Sequence, residues 1–189
     1  MAASWQLARY QLPRALEQRL CTPSLVIYAD VLRQNVERVV KACGGAHRWQ
    51  PHIKTVKSKE IIEELIGSGV KQFKCATSRE AELLAQTLRG RGDGPFEVVV
   101  AYPHTGPTLA RVAAAARWCR YGDGPTSTSE GDEEEDSVSW AVIVEDVAGA
   151  REVVEAGRTG DPFLRGEDNF FFGRTGPWTS TYTWISIPA

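Results

Sequence analysis

The sequence predicts an α/β chain built on a parallel sheet, open or closed into a barrel. The first observation is spacing. Strand-like apolar runs start at Leu25, Trp49, Gln72, Glu97 and Ser139, and the first three steps are 24, 23 and 25 residues. The last step is 42 residues, but it contains the 16-residue polar stretch Gly122–Ser137. The second observation is that helix signals fill the gaps, and a recurring strand-plus-helix unit marks a parallel sheet. The third is that Val98-Val99-Val100 and Ala141-Val142-Ile143-Val144 are continuous apolar runs, as in strands covered on both faces.

The elements follow in order. Leu25–Tyr28 reads as a strand, and Asp30 caps a helix carrying Val31, Leu32, Val36, Val39 and Val40 that Gly44-Gly45 ends. Trp49–Lys54 reads as the second strand. Ser58 then caps a helix with Ile61, Ile62, Leu65 and Ile66 on its apolar face. Gln72–Cys75 is the third strand, and Thr77 with Glu80 has capping-box spacing before Ala81, Leu83, Leu84 and Leu88. Glu97–Tyr102 is the fourth strand, and Thr105-Gly106-Pro107 opens an alanine-rich helix ending near Trp118. Ser139–Val144 is the fifth, and Asp146 caps a helix through Val153 and Val154. An eight-unit barrel takes roughly 250 residues, whereas this chain has 189 and its pattern stops near Ala156. Five units are expected. The organisation is then a leader segment 1–21, an α/β body 22–156 with an acidic solvated loop 122–137, and an irregular tail 157–189. Within the tail, Trp178–Ile187 has β propensity.

Composition excludes several classes. The chain is 42% hydrophobic and 24% charged, with net charge −2, which gives no support for nucleic-acid binding. No apolar run reaches membrane-span length. Arg9, Arg14, Glu17 and Arg19 interrupt the N-terminal apolar residues, so no signal-peptide core is expected. Cys21, Cys43, Cys75 and Cys119 form no CxxC pair, and a reducing, cytoplasmic compartment is the default. Cys75 reads as a small buried hydrophobe.

Lys54 is the leading functional candidate. A lysine at a strand end lies near the rim where such folds do chemistry, and a partly desolvated amine there forms a Schiff base with a carbonyl. The competing reading is a surface lysine. Side chains alternate along a strand, so His52 and Lys54 are expected on one side. His52 either orients the site or is a satisfied core histidine. Tyr102 and His104 follow the fourth strand and Glu145 the fifth. His104 is expected in a solvent-exposed loop, and Tyr102 either packs on a cofactor or is structural.

Three motifs carry a resemblance. Thr22-Pro23-Ser24-Leu25-Val26-Ile27, Pro51-His52-Ile53-Lys54-Thr55, and Phe73-Lys74-Cys75-Ala76-Thr77 with Glu80-Ala81-Glu82 resemble the D-threonine aldolase and D-serine dehydratase group of alanine-racemase-like pyridoxal-phosphate enzymes, of fold type III. The resemblance runs from about Cys21 to Ala156. It implies a partial (β/α)8 TIM-type barrel of about five βα units, without the family's C-terminal β domain. It implies a pyridoxal-phosphate-dependent lyase acting on a small D-amino acid, with Lys54 in the Schiff base and His52, Tyr102 and Arg174 near the cofactor. Arg174-Thr175-Gly176 resembles the family's Arg-x-Gly element, as does Arg158-Thr159-Gly160. Val56 stands where the family motif usually has a histidine. The divalent metal of full-length relatives is held in their C-terminal domain, so no metal ligands are expected in this chain. The resemblance also admits a homodimer, because related enzymes complete their sites at dimer interfaces. Two other readings stand beside the lyase: a non-catalytic fragment or isoform, and a single-domain pyridoxal-phosphate carrier.

Overall fold

A computed structural model describes residues 10–121, 138–159, 172–173 and 183–187. Its elements are α1 (Arg14–Glu17), α2 (Ala29–Cys43), α3 (Lys59–Gly67), β1 (Gln72–Cys75), α4 (Ser78–Leu88), β2 (Phe96–Val100), α5 (Gly106–Tyr121), β3 (Val138–Val144), α6 (Val147–Thr159), β4 (Phe172–Gly173) and β5 (Thr183–Ile187). Short 3-10 turns cover Ala46–Arg48 and Ile53–Thr55.

The sheet runs β1-β2-β3-β5-β4. β1, β2 and β3 are parallel, with Lys74 opposite Val99 and Val99 opposite Ala141. β5 then pairs antiparallel with β3, and β4 with β5. This corrects the expectation of a partial (β/α)8 barrel with five βα units: the fold is mixed α/β with a three-stranded parallel sheet extended by an antiparallel pair.

Two of the five expected strands do not form. Leu25, Val26 and Ile27 are 86%, 37% and 45% exposed and pair with nothing regular. Their segment ends instead at Tyr28, the N-cap position of α2, whose ring meets Tyr10 edge-on at 5.1 Å. Trp49–Lys54 runs beside β1, but its contact is a single parallel bridge, His52 to Lys74. Pro51 has no N–H to give a ladder, so only its carbonyl serves, accepting from Lys74 N at 3.0 Å. The chain then leaves the extended state at Ile53. At the far edge, antiparallel β5 occupies the place where a further parallel strand would lie.

The other three strands stand within a residue or two of their expected bounds. Phe73, Cys75, Val98, Val100, Trp140 and Val142 are all but fully buried and form one core with Ile62, Leu65, Leu84, Leu88, Leu109 and Val112 of the helices. Each such side chain contributes roughly 1.5–3 kcal/mol on leaving water. On the opposite face, Gln72, Lys74, Glu97, Ala141 and Ile143 are half-buried and Ser139 is exposed, while Val99 is buried. β2 is thus covered on both faces as expected, but β3 alternates.

The caps explain the helix bounds. Gly44 adopts φ 79°, a conformation that favours glycine, and closes α2 with Gly45 N donating to Val40 O. Asp30 lies inside the first turn of α2 rather than at its cap, where its charge suits the helix N-terminus. Ser58 takes the cap position of α3 but turns its hydroxyl to Glu60 Oε2. Asp146 Oδ1 accepts Gly149 N at 2.7 Å and starts α6. No described helix is long and apolar enough to cross a membrane.

Candidate functional site

The parallel strands end together, and the segments that follow them gather the candidate residues. In open α/β sheets, ligands bind beyond the carboxyl ends of the strands. Here that edge holds the Ile53–Thr55 turn, the Ala76-Thr77 link into α4 and the loop from Ala101 to Thr105.

The first segment is built around Ile53, which is fully buried. Val56 N and Lys57 N both donate to Ile53 O at 3.0 Å, closing a tight turn. Lys54 projects from this turn and is exposed. Its backbone N–H donates to His52 Nδ1 at 3.2 Å. Strand alternation therefore stops at His52, and the expected side-by-side placement of His52 and Lys54 gives way to a side chain capping its neighbour's backbone. His52 is half-buried. Burial first, and then the charges of Lys54 and Lys74, hold its imidazole below the ordinary histidine value, against the pull of Glu80. It is neutral at neutral pH, and with Nδ1 accepting, its proton sits on Nε2.

The second segment is built around Glu80. Its backbone N–H donates to Thr77 Oγ1 at 3.2 Å, the capping contact the spacing predicts. Its carboxylate does not return to the cap residue but reaches one residue earlier, where Oε2 accepts Ala76 N at 2.8 Å. The other oxygen, Oε1, lies 3.3 Å from Lys57 Nζ. Glu80 is only 3% exposed. Burial pushes its carboxyl up, but the Ala76 N–H and Lys57 more than offset this and leave it below the ordinary range. Cys75, beside it, is fully buried, and burial with the Glu80 charge pushes its thiol up to about 12. It is a core hydrophobe, not a nucleophile.

The third segment brings back His104. Its Nε2 lies 3.0 Å from Ala76 O, so His104 is half-buried and donates to the loop after β1 rather than standing in solvent. Tyr102 is 61% exposed and Glu145 is exposed. Arg174 lies outside the described residues, as does the acidic loop 122–137. Arg158 lies on α6.

The structure therefore joins His52, Lys54 and His104 to two residues that the sequence did not single out as functional, Lys57 and Glu80. Glu80 had a visible signal, its capping-box spacing. Lys57 had none. Two surface clefts lie elsewhere. One, of about 510 Å³, is lined by Arg33 and by Glu37, Glu60, Glu63 and Glu64, and its charge would repel an anion. The other, of about 240 Å³, lies between α4 and α5 against Trp118. Among the described residues, no three His, Cys, Asp or Glu side chains are grouped to hold a metal ion. Comparison with family models, with curated proteins and with solved structures found no match to this chain.

Two features of the strand ends bear on pyridoxal phosphate. Lys54 would offer an accessible primary amine to the aldehyde, and Lys74, beside His52, would offer positive charge to the phosphate.

Proposed function

We propose that the chain binds pyridoxal phosphate through Lys54 and serves D-amino-acid lyase chemistry of the D-threonine aldolase or D-serine dehydratase type, in a cytoplasmic setting. The observation that carries this reading is an accessible lysine, on a turn anchored by buried Ile53, at the carboxyl edge of a parallel sheet. The Pro51-His52-Ile53-Lys54-Thr55 motif supports it independently.

Bound there, the cofactor would supply an aldehyde carbon and a ring that accepts electrons from a bond at the amino acid's α-carbon. This chain's residues supply the rest. Lys54 Nζ would hold the cofactor's aldehyde, and as a free amine it would serve as a base for a substrate proton. His52 fixes the backbone of Lys54 through Nδ1 and offers Nε2–H as a donor. Lys74 contributes positive charge. His104 and Glu80 clasp the Ala76 peptide and keep the loop after β1 in place.

A second reading has its own support. Lys54 and Tyr102 are both exposed, whereas electrostatic catalysis gains from excluding water. On that reading the chain holds the cofactor without turnover.

Titration with pyridoxal phosphate, followed by circular dichroism in the cofactor's absorption band, tests the first claim. A fixed, chiral site gives an induced signal that saturates and is lost in Lys54→Ala. Absorbance without induced dichroism means scattered surface imines and overturns it. Acetaldehyde from D-threonine or pyruvate from D-serine then separates lyase from carrier.

A further inference from the structure

Lys57 carries an unexplained strain. It is the one non-glycine residue with positive φ among the described residues, at 45°. It ends the turn that starts at Ile53, a position where glycine is the usual solution. Some other contact must hold a lysine there. The contact present is Glu80 Oε1, 3.3 Å from Lys57 Nζ.

Glu80 is unusual in turn. A glutamate in the first turn of a helix ordinarily stays in water and merely complements the helix dipole. This one is 3% exposed, and burial of a carboxylate is costly unless it is paired and hydrogen-bonded. One oxygen is satisfied by Ala76 N, so the pairing falls to Lys57. The tie spans α4 and the turn three residues past Lys54.

We propose that Glu80 is a positioning residue: through its ion pair with Lys57 it holds the turn that presents Lys54. That Lys54 is the cofactor lysine rests on the reading above, but the tie itself does not.

The amides of Lys54, Val56 and Lys57 report the turn directly, because each donates within it. Hydrogen exchange by nuclear magnetic resonance on the cofactor-free chain is the test. Glu80→Gln and Lys57→Met should each speed exchange of these amides about three- to fivefold, the scale of a part-exposed ion pair. Because both remove the same tie, the double variant should stay within about twofold of the faster single one. Glu82→Gln removes the exposed ion pair of α4 with Arg111 without touching Glu80 or Lys57 and should leave the three amides unchanged. The proposal is overturned if Lys57→Met has no effect, if the two effects multiply, or if Glu82→Gln speeds the same amides equally. Lys57 has an exposed side chain, so that variant decides the matter even where Glu80→Gln fails to fold. Borohydride labelling with pyridoxal phosphate supplies the second readout: in both variants the yield on Lys54 relative to Lys59 should fall. Wild-type chain without preference for Lys54 would refute the cofactor reading and leave the exchange result standing.

Discussion

Replacing Ile53 by alanine should cost about 3 kcal/mol of folding stability. Ile53 is 0% exposed and belongs to the main core, one residue before Lys54. The change removes three carbon groups at about 0.8 kcal/mol each, roughly 2.4 kcal/mol in transfer alone. A partly relaxed cavity adds to this, and core isoleucine-to-alanine changes span about 2–5 kcal/mol. Ile53→Val removes one group and should cost about 1 kcal/mol. Urea unfolding followed by tryptophan fluorescence gives both numbers, provided the slope with denaturant is unchanged. The same variant should weaken pyridoxal-phosphate capture at Lys54, since the turn loses its anchor. A loss under about 1 kcal/mol for Ile53→Ala would refute the reasoning, because a side chain pinned in a close-packed core cannot be truncated so cheaply.

Three further outcomes follow from the same geometry. Arg91 holds the Asp93 carboxyl at about 2 with help from Lys71, and Glu80 also sits below the ordinary range. Both folded values are lower than the unfolded ones, so their contribution is present above about pH 4 and lost as pH falls toward 2. The urea midpoint should therefore drop across that window, and less steeply in Asp93→Asn. Thr77→Ala should cost about 1 kcal/mol by loss of the Glu80 N–H cap, while Thr77→Ser costs little, as thermal unfolding would show. Iodoacetamide should modify exposed Cys21 in the folded chain but reach Cys75 and Cys119 only on unfolding, since burial raises both thiols.

Period and capping made much of the body legible. Thr77-x-x-Glu80 and Asp146 mark helix starts that the structure keeps, and Gly44 marks a helix end. The apolar runs at Gln72, Glu97 and Ser139 are strands because each finds a neighbour on the sheet. Leu25-Val26-Ile27 has the same composition but no partner, and composition carries no information about partners. Trp49–Lys54 fails for a local reason that was in view, Pro51, which cannot donate to a ladder. β5 lies within the β-prone stretch Trp178–Ile187, but nothing in that stretch told that it would pair antiparallel with β3. At the site, the Pro-His-x-Lys motif pointed to Lys54 and His52. The Lys57–Glu80 tie was hidden, because a lysine in a left-handed conformation leaves no mark on a sequence. His104 was misjudged for a related reason: its acceptor, Ala76 O, is distant in the chain.

Reductive trapping tests the central claim most directly. The full chain is incubated with pyridoxal phosphate, reduced with borohydride, and the adduct is mapped by mass spectrometry in wild type and Lys54→Ala. The account predicts a near-stoichiometric adduct on Lys54 that the variant lacks. Labelling spread over Lys41, Lys57, Lys59, Lys71 and Lys74, and unchanged in the variant, would contradict it.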